Sequence, residues 1–218
     1  MSKTSLPTRF RRTLPLAAMV IAPALFVGPV AARDTHPYEF TLYGGYRVGG
    51  RFEVEDGRLI LGESGAFAGT FGYRASPDLI MDVTYTRQET DLAFQPTSSG
   101  HATPISDVTV EALYLDATYE HGYGSTRPFA GLGIGANKWT PDIVDVDSQT
   151  RFSFNFTGGL RTDLSRAFGL KFMVRGTFTT PPDDGSSVAC SPEGVCYVQA
   201  GNSLISQFDF GLGLVIRP

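Results

Sequence analysis

The chain has 218 residues, few lysines, two cysteines and, after residue 32, no long apolar run. A helix that crosses a bilayer needs about 20 apolar residues, so no transmembrane helix is predicted after residue 32. An exported chain without such a run can still cross a membrane as a closed β-barrel, in which the strands satisfy each other's backbone groups. Lys138 and Lys171 are the only lysines after residue 32. Because strands exposed to water usually carry many lysines, the polar strand faces are not expected to face bulk water.

The first 32 residues have the pattern of an export signal. Four basic residues, at positions 3, 9, 11 and 12, precede an apolar run at 14–30, and the small residues Val30, Ala31 and Ala32 offer a cleavage site. An N-terminal membrane anchor is the alternative, but three prolines and a glycine interrupt the run. We therefore predict a cleaved signal peptide at 1–32 and a single domain at 33–218.

Removal of the signal leaves 14 of the 18 Lys and Arg residues against 22 Asp and Glu, a net charge of −8. Nucleic acid is excluded as a partner, since phosphate binding needs clustered positive charge. Cys190 and Cys196 enclose the turn-forming sequence SPEGV. An even cysteine count in an exported chain predicts one structural disulfide between them.

Alternation with a period of two is the main secondary-structure signal. In the stretch FSFNFTGGLR at 152–161, Phe and Leu alternate with Ser, Asn, Thr and Arg, which is typical of a β-strand. Eight such stretches occur, and the predicted strands begin at Tyr38, Ala66, Leu79, Val108, Phe129, Phe152, Leu170 and Gln207. Each is about the 9 to 11 residues that a tilted membrane strand needs.

The joins between the predicted strands alternate in length. Joins one, three, five and seven are long, at 49–65, 95–107, 141–150 and 181–203, whereas the joins at ASPD, GYGST and DLSRAF are short. Bacterial outer-membrane barrels have short periplasmic turns and longer extracellular loops. The sequence therefore predicts an all-β fold, an eight-stranded antiparallel up-and-down transmembrane β-barrel.

The two faces of the predicted strands differ in charge. The polar face carries nine charged residues, predicted to pair in the barrel lumen: Arg47, Arg74, Asp82, Asp116, Glu120, Arg161, Lys171, Arg175 and Asp209. The apolar face is predicted to contact lipid and includes Phe152, Phe154, Phe156, Leu160, Phe172, Phe208 and Phe210. Gly131, Gly133 and Gly135 leave inner space for long Arg side chains, and Trp139 is predicted in an interfacial aromatic belt. The alternative, a soluble lipocalin-like barrel with an apolar interior, fits neither the faces nor the joins.

Two stretches carry a resemblance to a known family. GGYRVGGRFE at 44–53 resembles first strands of the small eight-stranded outer-membrane β-barrels, the OmpA/OmpX-like group, and FDFGLGLVIRP at 208–218 resembles their terminal strand. That strand usually ends in an aromatic residue, whereas this one ends in Ile-Arg-Pro. The resemblance implies the outer membrane of a Gram-negative bacterium, with outer-membrane lipid, lipopolysaccharide and the assembly machinery as partners, and a host or protein ligand at the loops.

A structural or surface-interaction role is the expected function, with a narrow pore as the main alternative. An outer-membrane lipid-modifying enzyme is the second alternative, but His36 precedes the barrel, His121 lies by a short turn, and only His101 lies in a long join, beside Ser98 and Ser99. The long join at 141–150 contains Asp142, Asp145 and Asp147. Closely spaced carboxylates of this kind can bind a calcium ion. We predict no catalytic residue, cofactor or dedicated metal site.

Overall fold

The computed structural model describes residues 37–54, 57–97, 101–142, 148–180, 187–190, 196–198 and 204–218. The strands are β1 (Tyr38–Gly49), β2 (Arg51–Val54), β3 (Gly57–Leu61), β4 (Ser64–Arg74), β5 (Leu79–Pro96), β6 (Thr103–Glu120), β7 (Thr126–Pro141), β8 (Gln149–Asp163), β9 (Phe168–Thr179), β10 (Ser187–Cys190), β11 (Cys196–Val198) and β12 (Ile205–Ile216). None of the described residues forms a helix long and apolar enough to cross a membrane.

Eight of these strands form a closed antiparallel barrel in the order β1, β4, β5, β6, β7, β8, β9, β12. The barrel closes where β12 pairs with β1, from Ile216 opposite Phe40 to Gln207 opposite Gly49. Each of the eight wall strands contains one of the eight predicted stretches, which confirms the fold class. Closure leaves no strand edge in the wall, as a barrel in a lipid environment requires.

Several wall strands are longer than predicted. β5 and β6 each have 18 residues, and β7 has 16. β5 and β6 both extend into the predicted second long join at 95–107, since β5 continues to Pro96 and β6 begins at Thr103. Cross-strand hydrogen bonding thus continues past the apolar stretch that marked the strand in the sequence.

The first long join, predicted as a loop at 49–65, is instead mostly a hairpin of β2 and β3. Gly49 and Gly50 both have φ of 90°, a backbone conformation that favours glycine, and they turn the chain from β1 into β2. The Gly50 amide donates to the Ser206 carbonyl at 2.7 Å, and the Leu61 amide donates to the Gly50 carbonyl at 2.8 Å. β3 then pairs with the C-terminal part of β5, from Leu92 to Pro96, so the hairpin extends the barrel wall.

The three short joins are tight turns at 75–78, 121–125 and 164–167. In the first, the Leu79 amide donates to the Ser76 carbonyl at 3.3 Å, and in the third the Leu164 amide donates to the Phe168 carbonyl at 3.0 Å. We call this end of the barrel the short-join end and the opposite end the long-join end. The fourth long join contains the β10–β11 hairpin, in which Cys190 and Cys196 are direct cross-strand partners.

Candidate functional site

Side chains along the wall strands alternate between the inside and the outside of the barrel. β5 shows this most regularly, with buried and exposed residues in strict succession over most of its length. Of the nine charged residues predicted for the lumen, eight are buried and Arg74 is half-buried. Of the seven predicted to face lipid, six are exposed and Phe154 is half-buried.

Arg161 lies at the centre of an ion cluster at the short-join end. Its side chain is completely buried, and its Nη1 donates to Glu39 Oε2 and to Glu120 Oε1, each at 2.7 Å. Its Nε donates to Asp163 Oδ1 at 3.1 Å. One guanidinium thus bonds to three carboxylates from three strands through donors that are held in a rigid planar fork.

Further ion pairs extend this group into the short-join ion cluster. It consists of Arg74, Arg127, Arg161, Lys171, Arg217, Glu39, Glu120 and Asp163. Lys171 Nζ lies 3.3 Å from Glu39 Oε1 and 5.3 Å from the centre of the Phe129 ring. The cluster therefore joins β1, β4, β6, β7, β8, β9 and the end of the chain across the lumen.

Sequence reasoning missed four members of this cluster: Glu39, Arg127, Asp163 and Arg217. Glu39 stands on the polar face of the first strand, so the alternation of that strand was a sufficient signal. Asp163 lies in a predicted join, Arg127 lies between the GYGST join and the predicted strand that begins at Phe129, and Arg217 follows the last strand. The sequence did not show that these side chains point inward, because it did not show where the strands end.

The middle of the lumen is filled by two further charged groups. Asp116 accepts hydrogen bonds from Thr84 at 2.7 Å and Asn155 at 2.8 Å, and its Oδ2 lies 3.7 Å from Arg175 Nη2. Arg47 forms a bidentate ion pair with Asp209, in which the distance from Nη2 to Oδ2 is 3.0 Å. These bonds satisfy most of the charge that burial would otherwise make costly.

The glycines of β7 accommodate neighbouring polar side chains. A Cβ on Gly133 would lie 1.8 Å from Asp116 Oδ1, and one on Gly135 would lie 2.7 Å from the Tyr114 ring. A Cβ on Gly131 would lie 3.0 Å from Thr118 Oγ1, and Thr118 is also a residue of β6. The side chains that meet these three glycines most closely come from the adjacent strand and are not the long Arg side chains that we expected.

The long-join end of the lumen is apolar. Seven buried side chains pack together there, which we call the apolar cap: Leu59, Leu61, Leu92, Val108, Val110, Trp139 and Ile205. Trp139 is only 6% exposed, so its predicted place in an outer aromatic belt is wrong. The outward positions of β7 are occupied by Ala130, Leu132, Ile134 and Ala136. Because side chains alternate in direction along a strand, residue 139 points inward.

Comparison with known proteins identifies this architecture. No family model matches the chain, and no curated protein does. Among solved structures, Neisserial surface protein A (NspA) has a TM-score of 0.58 at 14% identity, with 84% of this chain and 97% of that chain covered. The chain has the fold of the small outer-membrane β-barrels.

Two further outer-membrane barrels agree with this assignment. OprG from Pseudomonas aeruginosa has a TM-score of 0.56 at 11% identity, with 86% of this chain and 100% of that chain covered. The outer membrane protein AlkL, solved in lipid bilayers, also has a TM-score of 0.56, at 15% identity, with 87% of this chain and 94% of that chain covered. At these identities the likeness establishes the fold of the barrel.

The outer surface of the barrel is apolar and rich in aromatic rings. On β8, β9 and β12, Phe154, Phe156, Phe178 and Phe208 form one continuous cluster, in which Phe154 stacks on Phe178 at 5.3 Å between ring centres. Exposed tyrosines flank the apolar band: Tyr46 and Tyr85 towards the long-join end, and Tyr38, Tyr73 and Tyr119 towards the short-join end. Such girdles are typical of barrels that lie in a membrane.

The remaining polar candidates are scattered. His101 and His121 are exposed at opposite ends of the barrel, whereas His36, Ser98 and Ser99 lie outside the described residues. Asp142 is exposed and lines an open groove of about 490 Å³ with Glu89, Asp91 and Asp107. Asp145 and Asp147 also lie outside the described residues.

Proposed function

We propose that this chain is an integral protein of the bacterial outer membrane whose closed barrel presents extracellular loops for a structural or surface-interaction role. The observation that carries the proposal is the filled lumen. Ion pairs close its short-join end and its middle, and the apolar cap closes its long-join end. Eight-stranded barrels have interiors just wide enough for side chains, whereas aqueous channels belong to barrels of about 16 strands.

The outer face supports the membrane location. From Phe152 to Leu160 the outward side chains of β8 are apolar, apart from Gly158. A strand that rises about 3.3 Å per residue and tilts by about 40° covers roughly 20 Å of height over this interval. Outer-membrane barrels carry an apolar band about 25 Å tall, so this interval of β8 accounts for most of the height of such a band.

The orientation follows from the joins. Short turns face the periplasm in outer-membrane barrels, so the short-join end is periplasmic and the long-join end is extracellular. The β2–β3 hairpin and the long upper parts of β5, β6 and β7 then stand above the membrane. These parts and the four long joins offer the surface for lipopolysaccharide or a protein ligand, while the apolar band contacts lipid.

Conductance of the refolded chain in a planar lipid bilayer tests the proposal. A difference in gel mobility between boiled and unboiled samples first verifies that the barrel has folded and inserted. We expect an inserted barrel without current, because charged and apolar layers fill the lumen in series. A steady small current would overturn the plugged barrel and favour a narrow pore. Failure to insert, with cooperative folding in detergent-free buffer, would overturn the membrane location.

A further inference from the structure

The short-join ion cluster contains more positive than negative charge. Among the described residues, nine ion pairs connect its five cations to its three carboxylates. Four of the cations are arginines, whose guanidinium groups stay protonated in proteins. The five cations exceed the three carboxylates by two, and the buried Asp82, which interacts electrostatically with Lys171, offsets one of them. One positive charge stays uncompensated, and an uncompensated buried charge is costly.

The same cluster contains hydrogen-bond donors without acceptors. Arg161 Nη2, Arg217 Nε and Arg127 Nε are all buried and make no hydrogen bond. The three side chains are 0%, 8% and 9% exposed. Arg127 Nε does face Glu120 Oε2, but at 3.5 Å and without hydrogen-bond geometry. A buried donor left unpaired costs about 1–3 kcal/mol, and more when it is charged.

The unpaired donors lie close to one another. All three guanidinium groups contact the same carboxylate, since Asp163 lies 2.7 Å from Arg127, 3.1 Å from Arg161 and 3.1 Å from Arg217. The nitrogens of a guanidinium group are held in one rigid plane. The unpaired N–H groups therefore belong to three guanidinium groups that converge on one carboxylate.

The pKa of Arg217, which follows the last residue of β12, is lowered, and burial is the main cause. Asp163 and Glu39 oppose that effect, whereas the nearby Arg161 and Arg127 lower the pKa further. An added anion would relieve the repulsion between these arginines. The side chains of Asp163 and Arg74 remain 19% and 14% exposed, so the cluster is reached from the short-join end.

We propose that the short-join ion cluster binds a small oxyanion, a carboxylate or phosphate group, through Arg127, Arg161 and Arg217. Oxygen anions match the planar donor fork of arginine and form charge-assisted hydrogen bonds with it. The proposal depends on the function proposed above only for the side of entry, which is the periplasm. Conduction of ions by the barrel would overturn the filled lumen but not the anion site. A barrel that does not conduct and binds no anion would overturn the anion site but not the filled lumen.

Isothermal titration of the refolded chain from residue 33 onward, in a non-ionic detergent at constant ionic strength, tests this site. Sodium phosphate and sodium acetate are the two probes. We expect saturable binding of at least one of them with one site per chain, and an affinity reduced about tenfold in Arg217→Gln, the loss expected for a charge-assisted hydrogen bond. Arg87→Gln is the matched control, because Arg87 lies on the outer face, half-exposed, and its loss removes the same charge.

Each outcome of the titration decides the proposal. Binding of phosphate alone identifies a phosphate ligand, and binding of acetate identifies a carboxylate ligand. Absence of saturable heat with both probes overturns the site, as does an equal loss of affinity in Arg217→Gln and Arg87→Gln, which would indicate adventitious surface binding. Arg127→Gln replaces Arg217→Gln if the latter fails the gel-mobility check for folding, and the same reduction is expected.

Discussion

At the scale of single residues, Arg161 shows how a charged side chain is accommodated in a narrow lumen. It is completely buried, and its bonds to Glu39, Glu120 and Asp163 satisfy carboxylates from three strands. Burial raises the cost of any unpaired charge, so each member of the cluster depends on the others. Removal of the central cation leaves two deeply buried carboxylates with weaker partners.

Arg161→Met tests this dependence. We expect the free energy of unfolding to fall by about 3–5 kcal/mol, the cost of breaking a buried ion pair on one side. Arg87→Met, at a half-exposed site with ion pairs to Glu89 and Glu111, is the control and should change it by about 0–1 kcal/mol. Urea unfolding in lipid vesicles provides the measurement. Equal effects of the two variants would contradict a central role for Arg161.

Gly133 offers a second test at this scale. An alanine Cβ there would collide with Asp116 Oδ1 and lie 2.7 Å from Asn155 Nδ2, whereas one at Gly158 would meet its nearest atom at 3.8 Å. We expect Gly133→Ala to destabilise the barrel by about 1–3 kcal/mol, as overpacking does. Gly158→Ala is the control and should be close to neutral. The prediction fails if both variants unfold at the same urea concentration as the unmodified chain.

At the scale of elements, alternation located the wall strands, whereas cross-strand pairing set their ends. The apolar stretches mark the part of each strand that lies in the membrane, and hydrogen bonding continues beyond them. β5 and β6 therefore extend into a stretch predicted as a join, and β2 and β3 form from a stretch with weaker alternation. Trp139 faces inward because alternation continues to the end of β7, a position that aromatic content alone misassigned.

The β10–β11 hairpin bears on the predicted disulfide, which stays a prediction. Cys190 and Cys196 are directly opposed on antiparallel strands, where Cα atoms lie about 4.5–5.5 Å apart. That spacing falls within the range of disulfides. We expect both cysteines of the exported protein to resist alkylation until a reductant is added, as mass spectrometry would show. Labelling of either cysteine without reductant would contradict the bridge.

At the scale of the whole molecule, the lumen consists of layers in series: the short-join ion cluster, the groups around Arg175 and Arg47, and the apolar cap. Layers in series block the lumen independently, because an ion must pass all of them. Opening one layer therefore leaves the others closed. This arrangement distinguishes a barrel that is filled throughout from one closed by a single gate.

Trp139→Ala tests the layered arrangement. It removes the largest side chain of the apolar cap but leaves the ion pairs below in place. We expect the folded variant to remain without current in a planar bilayer, although its stability falls by about 3–5 kcal/mol, as for other buried Trp→Ala changes. A steady current from Trp139→Ala would show that the cap alone blocks the lumen. The unmodified chain in the same bilayer is the control.

The sequence by itself determined the eight wall strands, their two faces and the alternation of their joins. These properties are local, since side-chain direction in a strand depends only on the parity of the residue. The tertiary structure decided which charges meet, as in Arg161 with Glu39, which are 122 positions apart. It also decided that Trp139 and Leu59 share an apolar cap and that Arg217 reaches Asp163. Such contacts depend on strand order, register and closure, which a single strand does not encode.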